Sequence, residues 1–259
     1  MFQLNQRIAI VTGASAGIGE AVARELSSSG AALVLNARRE DRLKSLASSL
    51  KHAVAVAGDC SQDKVIGAML DAARDTLGGG TREADLVVIN AGRGLNGSVM
   101  TSDTAQWEEM IRTNLLAAAK LIREAGARML KSSEGKSGAE LVSHPRDIII
   151  LGSTVGRNVS PFSSMYGATK FAVHGLVEGA RRELGPKGIR VSLLEPGFVE
   201  SEFQGVAGYD PKWVAEVFAR IGPVLQPVDI ARTIAFIASQ PANVHINDVV
   251  IRPTRQDYP

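Results

Sequence analysis

Little in this 259-residue sequence points to a covalent or metal-bound framework. It holds one cysteine, Cys60, so no intrachain disulfide can form and no cysteine-based zinc site can be assembled. That composition fits a reducing compartment. His52, His144 and His245 have no metal-ligand spacing with one another. Neither sign of charge dominates: 29 Lys and Arg face 27 Asp and Glu, a net charge of +2. Broad attraction to nucleic acid or to an acidic membrane is therefore not expected. No apolar run approaches the roughly 20 residues that span a bilayer. No basic segment leads into a long apolar one at the start, so a secretory signal is not expected and the cytoplasm is the expected location. Apolar residues make up 45% of the chain, which excludes disorder and supplies a large core.

Short β-branched runs alternate with longer helical patterns. Strands are expected at Arg7 to Thr12, Ala32 to Asn36, Ala53 to Ala57, Asp85 to Ile89, Asp147 to Leu151, Ile189 to Leu194 and Asp248 to Ile251. The intervening helices include a long one from Trp107 to Leu130 and another from Ser164 to Leu184. Strands that are apolar on both faces and separated by helices predict one α/β domain over residues 1–259: a Rossmann-like, doubly wound parallel sheet of about seven strands. No repeat and no linker divides the chain. Residues 131–146 are polar and rich in small residues, and read as a surface insertion. Residues 202–225 read as a substrate lid, in which Phe203, Tyr209, Trp213, Val217 and Phe218 either close over an apolar ligand or simply pack a surface helix.

The first strand runs into Thr12-Gly13-Ala14-Ser15-Ala16-Gly17-Ile18-Gly19. A glycine-rich turn lets backbone approach a pyrophosphate, and the next helix aims free N–H groups and its positive dipole end at it. Alone, the motif is equally a tight strand–helix connection. Asn36-Ala37-Arg38-Arg39 end the second strand with guanidiniums where an NAD site usually carries a carboxylate. Arg38 is read as the ligand of a ribose 2′-phosphate, with Arg39 in support; the other reading is two solvated charges. Asp59 is placed to accept from an adenine amino group, and Cys60 reads as a small wall residue. The small residues of Asn90-Ala91-Gly92 leave room for a cofactor to cross the sheet edge.

Ser153 ends the fifth strand. Tyr166 and Lys170, at i and i+4, share a helix face. An ammonium beside a phenol favours the phenolate and predicts a lowered Tyr166 pKa. Such a phenol can exchange a proton with a carbonyl oxygen held by a serine hydroxyl. His174, at i+8, reads as a packing residue. Arg93 and Arg157 are either solvated or ligands of an anionic substrate.

Taken together, Thr12-Gly13-x-x-x-Gly17-Ile18-Gly19, Asp59, Asn90-Ala91-Gly92, Asn114, Ser153, Tyr166-x-x-x-Lys170 and Pro196-Gly197 strongly resemble the short-chain dehydrogenase/reductase family, in order and spacing. The resemblance covers about Arg7 to Ile251. It implies an NADP(H)-dependent oxidoreductase acting on a carbonyl or alcohol substrate. Tyr166 would be the acid/base, Lys170 would hold the nicotinamide ribose, Ser153 would position the substrate oxygen and Asn114 would anchor a water linking Lys170 to solvent. Gly13, Ser15, Gly17, Ile18, Gly19, Arg38, Arg39, Asp59, Cys60, Asn90, Ala91 and Gly92 would line the cofactor. Pro196, Gly197 and Val199 would meet the nicotinamide, with Ser201 where the family often has Thr. Position 16 is Ala, where one NADP-using subgroup has a basic residue, so the NADP assignment rests mainly on Arg38. The family also implies a homotetramer, or a homodimer, built on the two long helices. Two other readings stay open: an NADP-binding sensor or scaffold without turnover, and a ketoacyl-thioester reductase.

Overall fold

The computed structural model describes residues 2–158 and 160–258. Strands β1 (Ile8–Thr12), β2 (Ala32–Ala37), β3 (Ala53–Ala57), β4 (Leu86–Ile89), β5 (Asp147–Leu151), β6 (Arg190–Pro196) and β7 (Asp248–Ile251) form one sheet. Their order is β3-β2-β1-β4-β5-β6-β7 and every pair is parallel. The predicted strands all form, with ends shifted by at most two residues. Helices are α1 (Gly17–Ser28), α2 (Glu40–Ser48), α3 (Asp63–Asp71), α4 (Trp107–Ile111), α5 (Ala117–Lys131), α6 (Ser164–Leu184), α7 (Phe203–Val206), α8 (Pro211–Ile221) and α9 (Pro227–Ala238).

Alternation along each strand builds two cores. In β1, Ile8 and Ile10 face a layer made by α3, α5 and α6. Ala9 and Val11 face the opposite layer, made by α1, α2 and α9. Burying both faces is why the strands read as unbroken apolar runs. The strand order reverses between β1 and β4, and the crevice beyond their carboxyl ends is where such sheets bind ligands.

The helix expected from Trp107 to Leu130 is not uniform. Between α4 and α5, residues 112–116 form a wide π turn that contains Asn114. A second π turn, residues 72–77, follows α3, closed by the Gly78 N–H donating to the Ala73 carbonyl. Each such turn rotates the residues after it relative to a regular helix. The 131–146 insertion holds only a short 3₁₀ turn at Gly138–Val142. Buried Arg146 pins it by donating to the carbonyls of Met129, Leu141 and Lys187.

The amino ends of the strands carry a buried ionic network. Asp147 accepts from Arg7 at 2.7 Å and from Arg190 at 2.6 and 2.8 Å, while Arg7 also bonds Asp85 at 2.6 Å. All four are less than 10% exposed. This network stitches the sheet together at the end away from the crevice.

Candidate active site

The turn after β1 is held open by backbone contacts. Gly13 has φ +69°, and a Cβ there would lie 2.8 Å from Asn90 Nδ2. A Cβ on Gly19 would lie 2.2 Å from the Gly13 carbonyl oxygen. Asn90 Nδ2 donates to the Thr12 carbonyl at 3.0 Å, and the N–H groups of Asn90 and Ala91 donate to Thr12 Oγ1. Thr12 and Asn90 thus lock β4 to the turn. No side chain caps α1, so its first N–H groups remain available to an anion.

Beyond this turn lies a cavity of about 520 Å³. Ser15, Gly17, Ile18, Arg38, Arg39, Asp59 and Cys60 line one end; Ser153, Tyr166 and Lys170 line the other. Gly13, Asn90, Ala91, Gly92, Pro196, Gly197, Val199 and Ser201 also contribute. Gly19 and Asn114 do not face it. Gly19 packs on the turn, and the Asn114 amide is engaged with its neighbours: its oxygen accepts from Arg93 N–H at 2.8 Å, and its nitrogen donates to the Arg93 carbonyl and to Thr169 Oγ1. Asn114 therefore fixes the strand end beside Lys170. A Cβ on Gly92 would sit 3.3 Å from Asn114 Oδ1 and 3.9 Å from Lys170 Nζ.

At the first end, each arginine already has a carboxylate partner. Arg38 pairs with Glu109 at 3.1 Å, its side chain 70% exposed. Arg39 donates to Ser15 Oγ at 3.1 Å and to Glu202 at 2.8 Å. Burial opposes ionisation of Asp59, but bonds from Ser61 and the charges of Arg112 and Arg38 outweigh it and lower its pKa. Burial pushes the Cys60 thiol up to about 11, which suits a wall residue. Glycines that admit backbone, an uncapped helix start and guanidiniums at the end of β2 fit a phosphorylated dinucleotide.

At the other end, Ser153 caps a 3₁₀ turn at Thr154–Gly156. Its hydroxyl accepts from the Val155 N–H, and it lines the cavity beside the Tyr166 phenol, whose pKa it works to lower. Lys170 Nζ donates to the Leu151 carbonyl at 2.7 Å and lies 5.9 Å from the Tyr166 ring centroid. The expected lowering of the phenol pKa does not hold. Burial raises the Tyr166 pKa, with Ser153 only partly opposing, and burial lowers that of Lys170 to about 8. Both residues are less than 10% exposed, and removing water penalises their charged forms more than proximity helps.

Neighbouring ions hold this end from behind. Arg157 grips the fully buried Glu195 at 2.6 and 2.7 Å and also pairs with Asp248. Arg93 bonds Glu109 and Gln106. Both arginines have protein partners, while Arg93 also lines the cavity and its buried Nε has no hydrogen-bond partner. His174 is kept neutral, its pKa lowered to about 4 first by burial and then by Lys170 and Arg157. Its Nε2 presses against Gly152 and Gly156, where a Cβ would lie 2.7 and 2.3 Å away. It is a packing residue, as expected.

The lid reading divides. Phe203 packs on Tyr166 with ring centroids 5.6 Å apart, and with Val206 and Tyr209 it lines the cavity. Trp213 and Phe218 instead pack against Phe198, at 6.4 and 6.2 Å. Gln256, which sequence reasoning missed, also lines the cavity: its Oε1 accepts the Phe198 N–H at 2.9 Å and lies against Gly197. It is 58 residues from Phe198, and no local pattern marks it. Among the described residues, no cluster of three or more His, Cys, Asp or Glu is placed to hold a metal, and no helix is long and apolar enough to cross a membrane.

Comparison with known proteins agrees with this geometry. The family model described as short chain dehydrogenase matches residues 7–211. An uncharacterized oxidoreductase of Staphylococcus epidermidis is 31% identical over 254 residues, covering 98% of this chain and all of that one. A solved alcohol dehydrogenase from Thermococcus sibiricus, complexed with 5-hydroxy-NADP, superposes with a TM-score of 0.79 at 26% identity, covering 96% of this chain and 97% of that one. A serine dehydrogenase complexed with NADP+ superposes with a TM-score of 0.83 at 27% identity, covering 97% and 96%. On the family match, the relatives and the shared fold, the chain belongs to the short-chain dehydrogenase/reductase family of oxidoreductases.

Proposed function

We propose that the protein is an NADP(H)-dependent oxidoreductase that interconverts a ketone or aldehyde and its alcohol. One observation carries the reading: guanidiniums suited to a 2′-phosphate and a Ser153, Tyr166, Lys170 set suited to carbonyl chemistry line opposite ends of one cavity. The NADP-type ligands of two structural relatives support the same cofactor.

When bound, the nicotinamide supplies or accepts the hydride. The residues do the rest. Ser153 Oγ and the Tyr166 phenol bracket the position of the substrate oxygen. In reduction, the phenol proton passes to that oxygen; in oxidation it returns. The raised phenol pKa keeps Tyr166 protonated, the state required to start reduction. Lys170 would hold the nicotinamide ribose. The apolar roof of Phe203 and Val206 suits an uncharged, partly apolar substrate. With Tyr166, Lys170 and Ser153 all present at one end of the cavity, turnover is favoured over a sensor or scaffold role.

Assembly as a homotetramer is part of the proposal. Leu116 and Phe171 stand 49% and 41% exposed on the two long helical segments, as an oligomer interface there requires. A cytoplasmic location accords with the single, buried cysteine. The test is NADPH oxidation against a panel of aldehydes, ketones, diketones and oxo acids. NADPH-dependent turnover that Tyr166→Phe abolishes supports the reading; no turnover across the panel, or full activity in the variant, refutes it.

A further inference from the structure

Three arginines cluster at and just after the end of β2, and each meets a carboxylate from a distant part of the chain. Arg38 meets Glu109 of α4. Arg39 and Arg42 both meet Glu202, each at 2.8 Å, one on either carboxylate oxygen. Glu202 belongs to the lid segment, some 160 residues away in sequence. Its neighbours also cross the cleft. A Cβ on Gly17 of the phosphate turn would lie 3.4 Å from Ser201 Cβ, and Phe203 packs on the ring of Tyr166. Three consecutive residues thus touch the arginines, the phosphate turn and the reacting tyrosine.

We propose that Glu202 determines cofactor specificity: its carboxylate, held in place by Arg42 outside the cavity, is an internal anion that occupies Arg39 and competes with the cofactor's 2′-phosphate for it. The inference rests on the NADP(H) reading above. A 2′-phosphate offers the same charge-assisted bonds with more charge and more acceptor oxygens, so it can displace the carboxylate. Once displaced, Glu202 meets a like charge and is driven from Arg39. NADH carries no such phosphate and leaves both ion pairs in place. Glu202 therefore lowers affinity for NADPH selectively and ties release of the lid to the presence of a phosphate. Bonds from Arg42 and Arg39 hold the Glu202 carboxyl below its usual pKa, so the competing charge is present throughout the neutral range.

The test measures dissociation constants for NADPH and NADH in wild type and Glu202→Gln by intrinsic fluorescence and calorimetry. Glu202 is half exposed, so the isosteric amide is readily accommodated. The expected result is NADPH binding roughly three- to tenfold tighter in the variant, the worth of one or two exposed ion pairs, with NADH within about twofold of wild type. In an Arg39→Gln background the same change should have a smaller effect. Equal shifts for both cofactors, or none for either, would overturn the proposal and leave Glu202 a plain lid contact. Failure of the underlying reading looks different: wild type would bind NADH as tightly as NADPH, and Arg38→Asp would change neither.

Discussion

Lys170, proposed above to hold the nicotinamide ribose, is buried at a cost to the fold, and replacing it should make the protein more stable. Burial lowers its pKa from the ordinary lysine value of 10.5 to about 8, so at pH 7 the folded protein carries a desolvated ammonium. The difference corresponds to about 3 kcal/mol at 1.36 kcal/mol per pH unit. Lys170→Met fills a similar volume without the charge, but it leaves the Leu151 carbonyl without the donor it now has at 2.7 Å, a loss of about 1 kcal/mol. The net expectation is a gain of about 2 kcal/mol at pH 7, or roughly 4–8 °C in melting temperature for a chain of this size. The sign follows from linkage. A folded pKa below the unfolded one gives stability that is full above pH 10.5 and is lost as pH falls through about 8. The wild type should therefore gain on the variant as pH rises from 8 toward 10, and the gap should narrow. Thermal unfolding followed by circular dichroism at pH 7, 8.5 and 9.5 measures this, with turnover assayed in parallel and expected to vanish. A variant that melts below wild type at pH 7, or a gap that ignores pH, would refute the reasoning.

Three further outcomes follow from other parts of the molecule. Tyr166→Phe should cut turnover at least 10²- to 10⁴-fold, the usual worth of a positioned acid, while NADPH affinity, read by fluorescence, stays near wild type. Arg38→Asp should shift the kcat/KM ratio toward NADH by roughly tenfold or more, since it replaces a phosphate donor by an acceptor suited to a ribose hydroxyl; an unchanged ratio would remove Arg38 from the phosphate site. Asp147→Asn should destabilise by about 3–5 kcal/mol by leaving Arg7 and Arg190 buried without their shared charge. Because that network lies at the far end of the sheet, KM measured well below the melting point should not move.

The sheet was legible because each strand is apolar on both faces, and Ile8 to Val11 show why: alternate residues feed two different cores. The site was legible because its chemistry sits at strand ends and helix starts, where Gly13, Ser153 and Tyr166 leave local signatures. What escaped detection depends on contacts distant in sequence. The π turn at 112–116 has no breaker residue within it, and Arg112 to Leu116 read as ordinary helix. The Tyr166 pKa was misjudged because spacing reveals proximity to Lys170 but not the desolvation of both groups. Glu202 reads as one charge among many until folding brings it to Arg39 and Arg42. The ionic network does leave a mark in the sequence: Arg7, Asp85, Asp147 and Arg190 each precede or open an apolar strand, with charges that balance.

The clasp of Gln256 on Gly197 has a practical corollary for anyone altering this enzyme. Shortening the chain after Ile251 would spare every strand yet unfasten the Gly197–Phe198 peptide that lines the cavity, so catalytic impairment would emerge from an intact scaffold.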